Sequence, residues 1–400
     1  MRWFKTLVSS RENPILIGSK LGYYKHACSI IPGMGSFPYL KRVSMNPSSC
    51  DTYNAIVAYL ESCAANDAPC HMSAEQLTSF LVEIFERAGA ASHTARILAR
   101  TCALAEQDGA KSHGLYRVPA YIATLGTDWV DGAAAPEVVT SKGATVVIDA
   151  RNGFAQCALQ VARPLIEERA RVYGVATLLV RRSHHFGALW LDVEPFARQG
   201  FVALTAVNSI SHMAPHSGST PLYGTNPLAF ACPRSGHDPI VFDQASSLMA
   251  KGDLQLAALH GEQVPLGTGV DKHGKLTQDP HAILAGGALL PFGGHKGSSI
   301  AMMIEILAAG LTGGAFSWEI DRSEYPDAHT SRAGQFLLCI DPSHSAGPGF
   351  TGRIESLVQA LHDSGQQRLP GDRRYAIRKQ AATQGIAVSP QAMLDLIQAL

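Results

Sequence analysis

Between residues 144 and 340 the sequence alternates short β-rich runs with amphipathic helical runs, and this alternation constrains the fold most strongly. A long helix is predicted over 154–173, and strands are predicted to begin at Ala144, Val175, Phe201, Leu228, Pro239 and Gln335. The flanks have helical periodicity instead, from Ser73 and Thr94 on one side and over 350–363, 372–383 and from Ser389 on the other. This order predicts an α/β protein in which a mixed sheet is joined by a helical domain built from both flanks.

The predicted domain boundaries follow these changes of pattern. The helical domain comprises 72–140 and 344–400, the sheet domain comprises 141–343, and the crevice between them is the expected ligand site. Residues 1–71 have no clear period and stay unassigned, as either a mobile leader or an over-extended gene start. The folded body is therefore expected to begin at about Ser73, and deletion of 1–71 is expected to leave activity and thermal stability nearly unchanged.

Charge and cysteine usage narrow the class of protein. Lys+Arg and Asp+Glu are both 33, so nothing favours a nucleic-acid partner. The longest apolar helical stretch, 299–312, is interrupted by Glu305 and is too short to cross a bilayer. Eight cysteines without a CxxC pair indicate buried free thiols. We expect a cytosolic protein without a signal peptide.

Glycine-rich loops were tested as phosphate sites. The stretches 33–38 and 267–272 lack the third glycine of a dinucleotide-binding fingerprint, so no Rossmann domain is predicted. The stretch 293–299 is a glycine-rich turn that leads into a helix, with Lys296 beside the free N–H groups of the helix start. It is either an anion site or a plain loop.

The segment 112–117 is the most informative short motif. If Ser112 caps a helix, His113 and Arg117 stand at i and i+4 and project together. The imidazole could then deliver a proton while the guanidinium binds a carboxylate. The alternative is an exposed surface pair.

Other polar residues are weaker candidates. His184 and His185 are adjacent and do not face one another, and Pro215 separates His212 from His216, so no metal site is expected. Thr225 lies in a polar turn that could face a ligand, Asp253 could be a plain helix-start residue, and Arg373 with Arg374 could bind phosphate or be solvated.

Six of these segments occur in an order that resembles the malate/L-lactate dehydrogenase-type family of NAD(P)-dependent oxidoreductases, over about 72 to 400. The segments are 112–117, 185–189, 224–227, 242–245, 291–297 and 369–375. The resemblance implies a non-Rossmann fold in which the mixed-sheet domain binds NADPH, and it implies a homodimer. Within the family, 190–197 and 250–255 resemble the branch that reduces cyclic imino acids, and Asp253 stands where hydroxyacid dehydrogenases usually have Lys.

The resemblance also implies roles for individual residues. His113 would be the proton donor, with Ser112 and Asp253 holding and polarising it. Substrate would be bound by Arg117, Thr225, Lys251 and Gly252. The implied cofactor contacts are His185, Phe186, Gly187, Ala188, Leu189, Asp243, Gln244, Ala245, His295, Lys296, Leu369, Pro370, Gly371, Asp372, Arg373, Arg374 and Tyr375. Lys251 and Gln244 depart from relatives that have His and Met there, and Lys251 could alter the preferred ring size.

The expected activity is NADPH-dependent reduction of Δ1-piperideine-2-carboxylate and Δ1-pyrroline-2-carboxylate to L-pipecolate and L-proline. A cyclic imine becomes strongly electrophilic at C2 when its nitrogen is protonated, so the reaction needs an acid near the nitrogen and a clamp on the carboxylate. If Asp253 meets the His113 imidazole, it would favour the imidazolium. The nearest rival is a malate, lactate or ureidoglycolate dehydrogenase on the same fold, and a remote one is a metal-dependent hydrolase that uses the histidines at 184, 185, 212 and 216.

Overall fold

A seven-stranded mixed sheet lies at the centre of the computed structural model, which describes residues 53–400. Two smaller sheets accompany it. The strands are β1 Cys70–Met72, β2 Glu137–Lys142, β3 Thr145–Asp149, β4 Val175–His185, β5 Val202–Val207, β6 Leu228–Cys232, β7 Ile240–Gln244, β8 Gly269–Val270, β9 Leu276–Thr277, β10 Ala288–Leu289, β11 Ser331–Ile340 and β12 Ile386–Val388. The order in the large sheet is β2-β3-β4-β11-β5-β6-β7.

Only the pair β3 and β4 is parallel in the large sheet, and the other neighbours are antiparallel. A parallel pair needs a long crossover, and the helix Ala155–Tyr173 supplies it. The predicted α/β class with a mixed sheet is therefore confirmed. The predicted strands from Ala144, Val175, Phe201, Leu228, Pro239 and Gln335 all lie in this sheet, where β4 and β11 are longer than expected.

α-Helices precede, connect and follow the strands of the large sheet in the described part of the chain. They are α1 Tyr53–Ala65, α2 Ala74–Arg87, α3 Ser92–Gln107, α4 Val118–Leu125, α5 Ala155–Tyr173, α6 Trp190–Ala197, α7 Lys251–His260, α8 Pro280–Leu284, α9 His295–Ile304, α10 Phe350–Asp363, α11 Asp372–Gln384 and α12 Pro390–Gln398. Ser73 and Gln76 form the predicted capping box, and Ser389 caps α12 as expected, because their side chains satisfy backbone groups at the helix starts.

The folded body begins earlier than the sequence predicted. Helix α1 buries Ile56, Leu60 and Cys63 against the same core as α2, α3 and α12, and β1 pairs with β12. The expectation that the body begins at about Ser73 is therefore wrong. The apolar side chains spaced over 56–63 form one helix face, and that face packs on residues distant in sequence. The stretch 33–38 lies outside the described residues.

Strand β2 was not predicted. All but one of its residues are exposed, so the sequence has no buried face to reveal. Within the described residues, no helix is long and apolar enough to span a bilayer. The six cysteines of that part of the chain are buried free thiols, as predicted, and Cys28 and Cys50 fall before it.

A π-helical segment, Glu305–Gly310, continues α9. Its Ala308 carbonyl packs against Gly334 of β11, where a β-carbon would overlap the carbonyl oxygen. The register of β11 against β4 shifts at this point, between Ala333 and Gln335. The glycine thus permits a close approach that bends the central strand beside the site described below.

Candidate active site

The segment that carries His113 is not the continuous helix expected from Ser112. Two short 3₁₀ turns cover Lys111–His113 and Leu115–Arg117, and α4 begins only at Val118. The prediction that Ser112 caps a helix is therefore wrong. The bend brings the Ser112 hydroxyl to 3.1 Å from Nδ1 of His113, a contact that neighbours on one α-helix would not make.

Glu106 at the end of α3 holds this bend. Its buried carboxylate accepts a hydrogen bond of 2.8 Å from the backbone N–H of Leu115 and pairs with Lys111. A side chain at Gly114 would overlap that carboxylate. The chain therefore turns at Gly114, and the turn directs Ser112 and His113 to one side.

The imidazole of His113 lies in an apolar and cationic environment. Its ring meets the indole of Trp190 edge-on, with 6.3 Å between centroids. Burial, followed by the charges of Arg117 and His185, lowers the pKa of His113 to about 3. Asp253 was expected to favour the imidazolium only if it met the ring, but the hydrogen bond that the described residues make to the ring comes from Ser112, and burial with the two charges favours the neutral imidazole.

Ser112 lies between Asp253 and His113 and contacts both. Partial burial raises the pKa of the Asp253 carboxyl, while Arg117 and a hydrogen bond from the Ser112 hydroxyl oppose the rise. If the hydroxyl donates to Asp253, its oxygen can accept from Nδ1–H of His113. The Asp253–Ser112–His113 chain then leaves Nε2 as the basic atom of the neutral ring.

Arg117 completes this group. Its guanidinium stacks on the ring of Phe186, 4.3 Å from the centroid, and its Nε is buried without a hydrogen-bond partner in the described part of the chain. Burial lowers the pKa of Arg117, which stays charged at neutral pH. An unpaired fork of this kind suits a carboxylate.

Gly252 allows Arg117 to approach α7. A β-carbon at Gly252 would lie 3.0 Å from Nη2 of Arg117 and 3.4 Å from Cβ of Ser112.

Gly252→Ala is expected to lower kcat/KM about 10- to 100-fold, mainly by raising KM, because the guanidinium of Arg117 must move to make room for the new methyl group. Steady-state kinetics test this. Gly352→Ala is the control, since a β-carbon there meets nothing within 4 Å, and an unchanged KM in Gly252→Ala would contradict the tight fit.

Lys251 lies beside this group, and no hydrogen bond of the described residues joins Thr225 to it. Lys251 begins α7, and its Nζ hydrogen-bonds Nε2 of His212. The Thr225 carbonyl accepts from the Ser246 N–H at 2.8 Å, and no hydrogen bond of the described residues joins its side chain to His113 or Arg117. Thr225 is therefore positioned by its backbone.

Asn226, which follows Thr225, is fixed by a buried carboxylate. Its backbone has a φ of 38°, and its side-chain amide donates to Oε1 of Glu305 at 2.8 Å and to the Ala301 carbonyl at 3.1 Å. Glu305 also accepts from Ser317. The π-helical segment thus holds the turn at 225–226, a link that the sequence did not indicate.

The four segments implied as cofactor contacts meet along β7. The Asp243 carboxylate accepts from the backbone N–H of Trp190 at 3.1 Å, which joins 243–245 to 185–189. Val241 donates its N–H to the Pro370 carbonyl at 3.3 Å, which joins β7 to 369–375. The Phe292 N–H donates to the Ser246 carbonyl at 3.1 Å, which brings 291–297 to the same edge.

Arg374 presents an unused hydrogen-bond donor at this edge. It stacks on Trp190, 4.6 Å from the ring centroid, and its Nη1 is buried without a hydrogen-bond partner in the described residues. Gly371, with a φ of 99°, lets 369–375 pack on Val241. His295 and Lys296 are exposed at the start of α9, where the backbone N–H groups of 296–298 already donate to the preceding turn, so the side chains are the available donors. Donors of these kinds fit the phosphates of a nicotinamide dinucleotide.

The four histidines of the hydrolase alternative have other partners. His184 contacts Thr330 and Asn152, His185 contacts Asp192, and His212 contacts Lys251. His216 packs against His295. Over residues 53–400 no group of three His, Cys, Asp or Glu side chains could hold a metal ion. The structure gives the hydrolase alternative no support.

A protein-family model described as malate/L-lactate dehydrogenase matches residues 72–397. The chain belongs to this family. The chain is 53% identical over 329 residues to the Δ1-pyrroline-2-carboxylate/Δ1-piperideine-2-carboxylate reductase of Pseudomonas syringae pv. tomato, covering 82% of this chain and 96% of the relative. It is 38% identical to the (2R)-3-sulfolactate dehydrogenase (NADP(+)) of Chromohalobacter salexigens, covering 82% and 97%.

The fold of this malate/L-lactate dehydrogenase family member also matches a solved structure. The crystal structure of Δ1-piperideine-2-carboxylate reductase from Pseudomonas syringae superposes with a TM-score of 0.81 at 52% identity, covering 83% of this chain and all of the other. The resemblance stated from six motifs is therefore confirmed.

Sequence reasoning missed three polar residues near the site. Asp192 bonds His185 at 2.8 Å, and Asp108 accepts from the Trp190 indole N–H at 3.0 Å and pairs with Arg378. Arg322 acts on the pKa of Lys251. Asp108 and Asp192 stand out because they are buried charged residues, which can be seen only once the fold is known. Arg322 lies in a loop that contains no recognised motif.

Proposed function

We propose that this chain reduces Δ1-pyrroline-2-carboxylate and Δ1-piperideine-2-carboxylate to L-proline and L-pipecolate with NADPH. The observation that carries the proposal is the juxtaposition of the Arg117 guanidinium with the Asp253–Ser112–His113 chain. The Nε of this guanidinium has no hydrogen-bond partner among residues 53–400. A clamp for a carboxylate thus lies beside a group that can exchange a proton. The Pseudomonas syringae relative, which aligns with most of this chain, is named a Δ1-pyrroline-2-carboxylate/Δ1-piperideine-2-carboxylate reductase.

Arg117 would bind the substrate carboxylate. Its guanidinium is held by Phe186 and approached closely by Gly252, so its orientation is set before substrate arrives. Two parallel hydrogen bonds from a planar fork fix the plane of a carboxylate. The ring of the imino acid would then lie against the apolar surface that includes Phe186 and Trp190.

The residues along β7 would hold the cofactor. Arg374 and the exposed Lys296 at the start of α9 suit its phosphates, since Nη1 of Arg374 is buried and has no partner among the described residues. Asp243 holds the turn that precedes α6 through the Trp190 N–H. When bound, the reduced nicotinamide supplies a hydride to C2 of the imine.

His113 would manage the proton on the ring nitrogen. Its pKa of about 3 makes the imidazole neutral in the free protein. A substrate carboxylate on Arg117 offsets one of the charges that depress this pKa, so Nε2 can share the proton of the iminium nitrogen. Ser112 and Asp253 hold the tautomer and orientation that this needs.

The titration of His113 is a separate prediction. Because the Arg117 charge lowers the His113 pKa, Arg117→Met is expected to raise it, and benzoate bound to wild type is expected to raise it also. NMR of ¹⁵N-labelled histidine measures this, with His113 assigned from His113→Ala. In the free wild type the ring should stay neutral from about pH 5 to 8, given its lowered pKa. A His113 pKa near 6.5 in both proteins would contradict the coupling.

The activity test is NADPH oxidation against a panel of substrates. Δ1-Pyrroline-2-carboxylate and Δ1-piperideine-2-carboxylate should give higher kcat/KM than pyruvate, oxaloacetate or 3-sulfopyruvate. A chain that preferred a 2-keto acid would instead be a 2-hydroxy acid dehydrogenase, the alternative favoured by the sulfolactate dehydrogenase relative. NADH in place of NADPH tests the cofactor preference.

The active form is proposed to be a cytosolic homodimer. Exposed apolar side chains lie along α9, the π-helical segment and the turns after it, namely Met302, Met303, Ile306, Leu311 and Trp318. Such a patch suits burial against a second copy. Ile306→Asp is expected to convert dimer to monomer in light scattering after gel filtration, with Thr383→Asp on the exposed α11 as control. A monomeric wild type would overturn the proposal.

A further inference from the structure

Basic side chains from three distant segments converge beside Arg117. Lys251 begins α7, and its ammonium group hydrogen-bonds His212, which follows β5. Arg322 comes from the loop between the π-helical segment and β11, where it donates to the Ala328 carbonyl. All three side chains are partly buried. This basic cluster is Lys251, His212 and Arg322.

The members of the basic cluster repel one another. Burial and the charges of Arg322 and Arg117 lower the pKa of Lys251 to about 7. Burial, Lys251 and Arg322 lower the pKa of His212. The same two cations and burial act on His329, whose pKa falls to about 4. Lys251 and His212 are thus made less basic by burial and by neighbouring cations, and burial alone lowers the pKa of Arg322.

Few carboxylates face these cations. Asp253 acts on Arg117, and Asp327 acts on His329. Across residues 53–400, neither Arg117, Lys251 nor Arg322 forms an ion pair with a carboxylate. Partly buried cations without a counter-charge raise the free energy of the ligand-free protein, so an anion that binds there is favoured.

One substrate carboxylate does not account for this arrangement. Arg117 alone offers a planar fork that satisfies both oxygens of a carboxylate. Arg322 adds positive charge beside that fork, and so does Lys251 when it is protonated. A substrate with a single anionic group leaves this charge uncompensated. A second anionic group on the substrate would compensate it.

We propose that Lys251, His212 and Arg322 form a second anion subsite, and that the chain reduces cyclic 2-imino acids that carry a second carboxylate on the ring. The inference rests on the proposed reductase function. The hydride goes from NADPH to C2, the proton goes to the ring nitrogen, and NADP⁺ leaves with a saturated cyclic amino dicarboxylate. The second carboxylate is unchanged and serves only for recognition.

Binding without cofactor tests the subsite directly. Isophthalate has two carboxylates on one ring, and benzoate has one. Calorimetry should give wild type at least a tenfold preference for isophthalate, and Arg322→Met and Lys251→Met should each remove most of it. Arg322→Lys should retain part of it, and Lys275→Met, an exposed lysine, should retain all of it. Thermal melts show which variants are folded.

Turnover provides the second arm. The ratio of kcat/KM for Δ1-piperideine-2,6-dicarboxylate to that for Δ1-piperideine-2-carboxylate should fall at least tenfold in Arg322→Met. Equal affinity of wild type for isophthalate and benzoate would overturn the subsite, even if the monocarboxylate imine is reduced. A chain that reduces no imine but prefers isophthalate would overturn the reductase proposal and leave the subsite standing.

Discussion

Replacing His113 with alanine is expected to lower the turnover number for cyclic imine reduction by about 100-fold or more, the usual contribution of a positioned acid or base. The imidazole is the group that the Asp253–Ser112 pair orients, with Nδ1 at 3.1 Å from the Ser112 hydroxyl. Its loss removes the proton-exchanging group while Arg117 still binds the carboxylate. The defect should therefore fall on kcat more than on KM.

The control for this prediction is His281→Ala. His281 lies in α8, its side chain is exposed, and no role in the site is assigned to it, so its kinetics should match wild type. Added imidazole should restore part of the activity of His113→Ala if a proton carrier is what was lost. Turnover near the wild-type value in His113→Ala would remove His113 from the proposed chemistry.

Leu60→Ala is expected to lower the free energy of unfolding by about 2 to 5 kcal/mol, the usual cost of truncating a fully buried leucine. Leu60 lies on the inner face of α1, has no exposed surface, and belongs to the core that α12 completes. Urea unfolding followed by circular dichroism measures the change. The same reasoning predicts that a chain starting at residue 69 is less stable than one starting at residue 53.

Glu61→Ala is the matched control for Leu60→Ala. Glu61 is the next residue of α1 and is exposed, so its replacement should change stability by less than about 0.5 kcal/mol. Equal midpoints for Leu60→Ala and wild type would mean that α1 adds nothing to the core. The sequence-based expectation for residues 1–71 would then stand.

Segments with a strong period could be predicted from the sequence, and segments held by tertiary contacts could not. Helix α5 has an apolar face with helical spacing, and strand β6 is a short continuous apolar run, so both could be recognised locally. Strand β2 has no buried face. The turns around His113 depend on Glu106, a buried carboxylate of another helix.

The candidate site likewise has residues that the sequence could predict and properties that depend on tertiary contacts. Motif order indicated Ser112, His113 and Arg117 because these residues lie together in one short segment of the chain. The protonation of His113 could not be predicted, because it depends on burial of the ring and on the approach of Arg117 and His185 in three dimensions. Arg322 had no local signal, since its neighbours in the basic cluster are distant in sequence.

The pairing of β1 with β12 has a consequence for biosynthesis. Met72 pairs with Ile386, which is synthesised roughly 300 residues later. At a translation rate of about 5 to 20 residues per second, β12 becomes available about 15 to 60 s after β1. During that interval the inner face of α1 lacks the side chains of α12 that cover it. Folding of this part of the molecule is therefore completed late in translation, and the nascent chain offers chaperones an apolar helix until then.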